Sequence, residues 1–389
     1  MLSLLMSVTL LATPTWTTAN STATGDQDTA AIATNRSGHV AVVWEDDRDA
    51  TAADDNAHSD IHLRLYRDGV SQYELKLSAG GTSGVAWRHL SPDVGVDDRG
   101  NAVVVWADDP DGNGYFNIPY RVVSPTGAIL ASGRANANTD GQQLRPKVAV
   151  DPDGTPNTPS AVAFTVVWED IQGTAAPTVR ASGFTNVTTK AYEVQANPTG
   201  QRPDVGVSAA GDATVVWDAA SGTGLDIGLV RLAKANGAVT LSRRLANGVT
   251  DGDQRNPAVA TGFAGDFAVA WEGAGQVWAR SFTVSGAARH ADAAVGAGAG
   301  PSIGVDDQGA VVVGRTAGLD VFVRGFNADG TGTGRLPDQT MSQVTAGRQE
   351  QVAIAVSPWG EVPVCYTDDN DGNTFDQVLL GLGLTNSDW

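Results

Sequence analysis

Short apolar runs, most of them closing on a tryptophan, recur along this chain. They read "VAVVW" to Trp44, "AVVVW" to Trp106, "FTVVW" to Trp168, "ATVVW" to Trp217 and "FAVAW" to Trp271. Each is rich in Val, Ala, Thr or Phe and is bounded by turn residues and a polar loop, which predicts a short buried strand rather than a helix. Counting six residues forward from Gly309 and from Gly360 adds Arg315 and Tyr366 as the equivalent positions of two further units.

The units share an order of elements. A first strand of the form P-x-[VI]-[AG]-V appears as "PDVGV" from Pro92, "PKVAV" from Pro146, "PDVGV" from Pro203, "PAVAT" from Pro257 and "PSIGV" from Pro301. "AAIAT" and "VAIAV" are copies without the proline. Gly-bearing turns such as "DDRG" and "DDQG" lead into the tryptophan strand. A variable polar loop follows, then a third strand such as "DIHLRLY", "QVWARSF" or "DVFVRGF", and a looser fourth strand.

Seven repeats of roughly 50 residues, each of four short antiparallel strands, predict an all-β, seven-bladed β-propeller. The last unit ends after its third strand, whereas the chain starts with "PTWTTANSTATGDQ", a fourth strand with no first three ahead of it. The N-terminal strand is therefore expected to close the last blade, making 13–389 one domain. Residues 1–12, apolar but without Lys or Arg, read as a weak or truncated export signal, which points to an extracellular or cell-surface location.

Composition narrows the partners. Lys and Arg number 25 against 44 Asp and Glu, a net charge of −19 that opposes phosphate backbones and anionic lipid, so nucleic acid is not an expected partner. Calcium, a basic protein surface and an uncharged glycan are each compatible with it. The single cysteine, Cys365, lies in "VPVCY" and reads as a buried, inert thiol. No apolar run is long enough for a transmembrane segment.

The pattern G-x-Q-x-x-P, a short strand, a turn with Gly, an apolar run to Trp, an acidic loop and a strand ending R-x-F resembles the propeller repeat of many secreted bacterial proteins, often found with adhesin-like or calcium-binding modules. The fifth unit carries it at Gly252, Gln254, Pro257, Gly265, Trp271, Arg280 and Phe282. The resemblance implies a binding or display scaffold. The S-x-D-x-G-x-T-W box of sialidases is absent, and the kelch double glycine and the WD40 Gly-His pairing are not repeated.

Residues present in most units point to packing: the tryptophans, the third-strand arginines Arg64, Arg121, Arg280 and Arg324, and the linker glutamines Gln27, Gln143, Gln201 and Gln254. The alternative is a lectin that stacks one Trp per blade on sugar. Residues that differ between units are the functional candidates. Acidic loops follow the second strand in units one, two and seven, which adjoin once the ring closes. They place Glu45, Asp46, Asp108, Asp109, Asp111, Asp368, Asp369 and Asp371 as candidate ligand-binding residues on one sector of one face.

Asp369, Asp371, Asn373 and Asp376 form a candidate calcium set, and Asp54, Asp55, His58, Asp60 and His62 a candidate zinc set. No nucleophile motif or phosphate loop is present. The expected function is a binding or adhesion module whose partner is a glycan or an extracellular protein. The alternatives are an enzyme acting on extracellular polysaccharide, with paired carboxylates or a His/Tyr pair near a channel, and a purely structural display unit.

Overall fold

The computed structural model describes residues 13–48, 58–80, 87–153, 161–222, 224–333, 336–343, 347–369 and 375–386. Residues 1–12, the expected signal segment, lie outside them. The strands form seven antiparallel sheets of four, and the seventh takes its outer strand, Thr15–Thr18, from the N-terminus. Blade one shows the order: Gln27–Thr34, His39–Asp46, Asp60–Arg67 and Val70–Lys76, from inside to outside. Among the described residues no helix is long and apolar enough to cross a membrane.

The apolar alternation of the second and third strands buries between neighbouring sheets. Seven hydrophobic clusters result, one at each blade junction. The cluster joining blades seven and one holds Trp44 with Cys365, Val378 and Leu380, so the ring is closed by core as well as by strand pairing. Trp44, Trp106, Trp168, Trp217 and Trp271 are at most 2% exposed, which removes the Trp-stacking lectin. Arg315 and Tyr366 are also buried in their place, and Arg315 forms a bidentate pair with Asp338 at 2.8 Å. Burial raises the Cys365 thiol to about 12, leaving it inert.

The repeated arginines staple blades together. Arg64 donates to the carbonyl of Ala19, Arg280 to Ala246 and Arg324 to Val295, each on the preceding blade. Arg121 instead lies over the Trp106 ring at 5.4 Å. Gln27, Gln143 and Gln254 are buried and donate into the carbonyls of their own linkers. Gln201 departs from this expectation: it is exposed at the start of its strand.

In blade four the third strand places Gly228 opposite Trp217, and a Cβ there would lie 2.6 Å from the indole Cζ2. The space is already occupied by the ring. Gly228→Ala is therefore expected to cost about 1–3 kcal/mol by overpacking, read as a lower urea midpoint with unchanged slope.

Candidate functional site

The loop face begins where the inner strands enter the sheets. Each inner strand carries a bulge, seen as a register shift between Asp28 and Ala31 in blade one and at the matching place in the other six. The bulge residue has left-handed backbone: Thr29, Ser91, Arg145, Arg202, Asn256, Gly300 and Gln351, with φ between 48° and 60°. Six of these are not glycine, so the conformation needs outside support.

In four blades that support comes from the acid at the position after the preceding blade's tryptophan, and in blade one it comes from the Gln351 side chain, which accepts from the Thr29 N–H. Glu45 accepts from the Ser91 N–H at 2.6 Å, Glu169 from Arg202 at 2.5 Å, Asp218 from Asn256 at 2.8 Å and Glu272 from Gly300 at 2.8 Å. These bonds clasp one blade's inner strand to the next. Burial, reinforced by the neighbouring Asp28 charge, lifts the Glu45 carboxyl to about 8.

The second acid of the pair serves its own blade. Asp46 accepts from the Trp44 indole at 2.9 Å and from the Arg48 guanidinium at 2.7 and 2.6 Å. Asp108 accepts from Trp106 at 3.1 Å and meets His89 at 2.5 Å. Asp109 accepts from the N–H groups of Asn113 and Gly114 and shapes the loop, and Asp368 accepts from Gln349. Glu45, Asp46, Asp109 and Asp368 are buried, with these oxygens engaged in the framework. Asp111 is exposed, Asp369 is half-buried, and Asp371 lies outside the described residues.

The metal sets separate. Asn373 also lies outside the described residues, and Asp376 faces Arg348 at 3.5 Å, where burial lifts its carboxyl to about 6. Of the zinc set, Asp54 and Asp55 are outside the described residues. His58 packs edge-on against Trp87, Asp60 binds Ser78 and Lys76, and His62 stacks on Trp44. Among the described residues no group of three or more His, Cys, Asp or Glu is arranged to hold a metal.

What the loop face does build is a pocket between blades two and three. It measures about 840 Å³ and is lined by Asp111, Asn113, Tyr115 and Asn117 of the acidic loop, Arg134 of the outer strand and Asp140 of the linker. Loop and linker thus share a face, joined by a bond from the Gln142 amide to the Gly114 carbonyl. Tyr115 is 55% exposed, a large ring left in water.

Its surroundings are held in place. Asn113 accepts from the Tyr115 N–H at 2.7 Å and donates to Asp111 at 2.9 Å, while Asn136 donates to Asn117 at 2.8 Å and accepts Arg134 on its carbonyl. The sequence placed Asp111 here. Tyr115, Asn117, Arg134 and Asp140 were missed, although an aromatic residue within "DDPDGNGYFN" was a readable sign.

No protein-family model and no curated protein matches the chain. Solved structures match it as a fold. A protein of unknown function from Dyadobacter fermentans is 11% identical with a TM-score of 0.53, over 95% of this chain and 98% of that one. The NanB sialidase of Streptococcus pneumoniae is 10% identical with a TM-score of 0.51, over 97% of this chain and 70% of that one. Such likeness establishes the propeller and leaves function to the residues.

Proposed function

We propose that this chain is a secreted or cell-surface binding module that takes a glycan in the loop-face pocket between blades two and three. The observation that carries the reading is the exposed Tyr115 ring standing in a pre-formed polar pocket. An aromatic face stacks on the apolar face of a sugar ring, while Asp111, Asn113, Asn117 and Arg134 supply planar donors and acceptors for its hydroxyls. Their bonds to one another and to the backbone fix the site before a ligand arrives, which reduces the ordering cost of binding.

A second reading, an enzyme acting on extracellular polysaccharide, has one observation in its favour. Asp93 and Asp204 both line the central channel, and burial lifts the Asp204 carboxyl to about 6. Both are also structural, because each accepts the N–H of the next blade's inner strand at 2.7 Å. A glycan array probed with the fluorescently tagged chain, run beside a reducing-sugar assay on the same glycans, tests the two readings. Retention without sugar release is expected. Release of reducing ends would replace the module with the enzyme, and a blank array with no release would overturn both.

A further inference from the structure

The position after the proline in each inner strand faces the channel. In most blades it is small: Ala31, Ala258, Ser302 and Ala353. In blades two, three and four it is charged, and Asp93, Lys147 and Asp204 stand side by side. Lys147 Nζ lies 3.3 Å from Asp93 Oδ1, and Asp204 also attracts its charge.

The aspartates have a structural duty. Asp93 accepts from Val148 N–H and Asp204 from Val259 N–H, as Ser302 accepts from Ile354 N–H in blade six. Lys147 has none, since an ammonium cannot accept a backbone bond and six other blades close without one. Its only hydrogen-bond partner among the described residues is Asp93, which leaves two of three N–H donors for something else, and 40% of its side chain is open to the channel.

The channel around this triad is a well. Its loop-face half has a volume of about 540 Å³, inside the ~300–1,000 Å³ range of small-molecule sites. Below it the channel narrows, where Gly95, Gly206 and Gly304 let neighbouring inner strands approach within reach of a Cβ. The far mouth is spanned by Arg36. From the turn of blade one it lies over Phe263 of blade five at 4.3 Å and over Trp359 of blade seven at 5.6 Å. It also pairs with Asp307 of blade six at 2.7 Å. The larger cavity, on the loop face, is the route to the triad.

We infer that this well binds one neutral pyranose, as a free sugar or as the end of a glycan chain, with Lys147, Asp93 and Asp204 bonding its hydroxyls. Mixed charges suit a ligand that both donates and accepts, and a sugar hydroxyl donates to a carboxylate and accepts from the ammonium. The proline rings Pro92 and Pro146 offer apolar surface for its C–H faces. A channel crossed by Arg36 at its far mouth favours the end of a glycan over the interior of a polymer. The site shares no residue with the Tyr115 pocket and stands without it.

The test uses the full chain with glucose, galactose, mannose and N-acetylglucosamine and their methyl glycosides, followed by saturation-transfer NMR and titration calorimetry. The free sugars and the glycosides separate a free ligand from a chain end. At least one probe is expected to bind, with Lys147→Met and Asp204→Asn each weakening it tenfold or more and Tyr115→Ala changing it less than twofold. Asp204→Asn keeps an acceptor for Val259 N–H and decides alone if Lys147→Met does not fold. The proposal is overturned if no probe binds the wild type, if binding survives Asp204→Asn, or if Tyr115→Ala abolishes it.

Discussion

A chain that starts at Thr24 instead of Thr13 is expected to melt about 4–6 °C lower and to aggregate on heating. The lost segment is small but sits at the one place where the ring closes. Its strand pairs with the third strand of blade seven from Thr15 opposite Leu382 to Thr18 opposite Leu379. Trp16 packs edge-on against Tyr366 at 5.2 Å. Ala19 donates to Val378 at 2.7 Å, its carbonyl receives Arg64, and Asn20 binds Gln27, Gln377 and Val378.

Burial of one partly covered indole and several hydrogen bonds contributes roughly 3–5 kcal/mol. For a chain of this size that corresponds to the stated shift in melting temperature. Removal also bares an unpaired sheet edge, a template for association. Circular dichroism melts with light scattering measure both. A melt within about 2 °C of the longer chain would show that the ring does not depend on this strand.

Stability is expected to fall by on the order of 3 kcal/mol as the pH rises from about 6 to 9. Glu45, lifted to about 8 in the fold, keeps a proton that the unfolded chain has already released, so each step upward in pH favours unfolding. Asp204 and Asp376, each lifted to about 6, act in the same direction at lower pH.

His39 and His62 oppose them below the ordinary imidazole range. Burial lowers both, and stability is lost as acid protonates them. Glu45→Gln retains an acceptor for the Ser91 N–H and removes the titration, so the decline between pH 6 and 9 should shrink by more than half. Urea unfolding of both chains across that range checks it. Equal slopes would locate the pH dependence elsewhere.

The ring was legible because packing repeats. Every blade needs a large buried side chain where its second strand leaves the core, and the tryptophan period exposed blade number, strand order and closure by the N-terminus. Even the substitutes Arg315 and Tyr366 fell out of the count, since the turn glycine fixes the register. The acids were harder. Glu45 and Asp46 look like the start of an exposed loop, yet alternate side chains of a strand point in opposite directions. One clasps the neighbouring blade and the other holds Trp44.

The bulges were hidden by their residue types. Thr29, Ser91, Arg145 and Arg202 give no sign of left-handed backbone, and a residue before proline is ordinarily extended. The channel charges were visible in "PDVGV", "PKVAV" and "PDVGV", where comparing the units column by column sets Asp, Lys and Asp against Ala and Ser. The pocket around Tyr115 draws on a loop, an outer strand and a linker, a convergence that only the folded ring creates.

Titration calorimetry of Tyr115→Ala against the glycan retained best by the wild-type chain tests the binding account most directly. Loss of the stacking ring should weaken that glycan at least tenfold, or by about 1.4 kcal/mol, with the melting temperature unchanged because the ring is exposed. An affinity equal to the wild type would contradict the assignment of the ligand to the loop-face pocket.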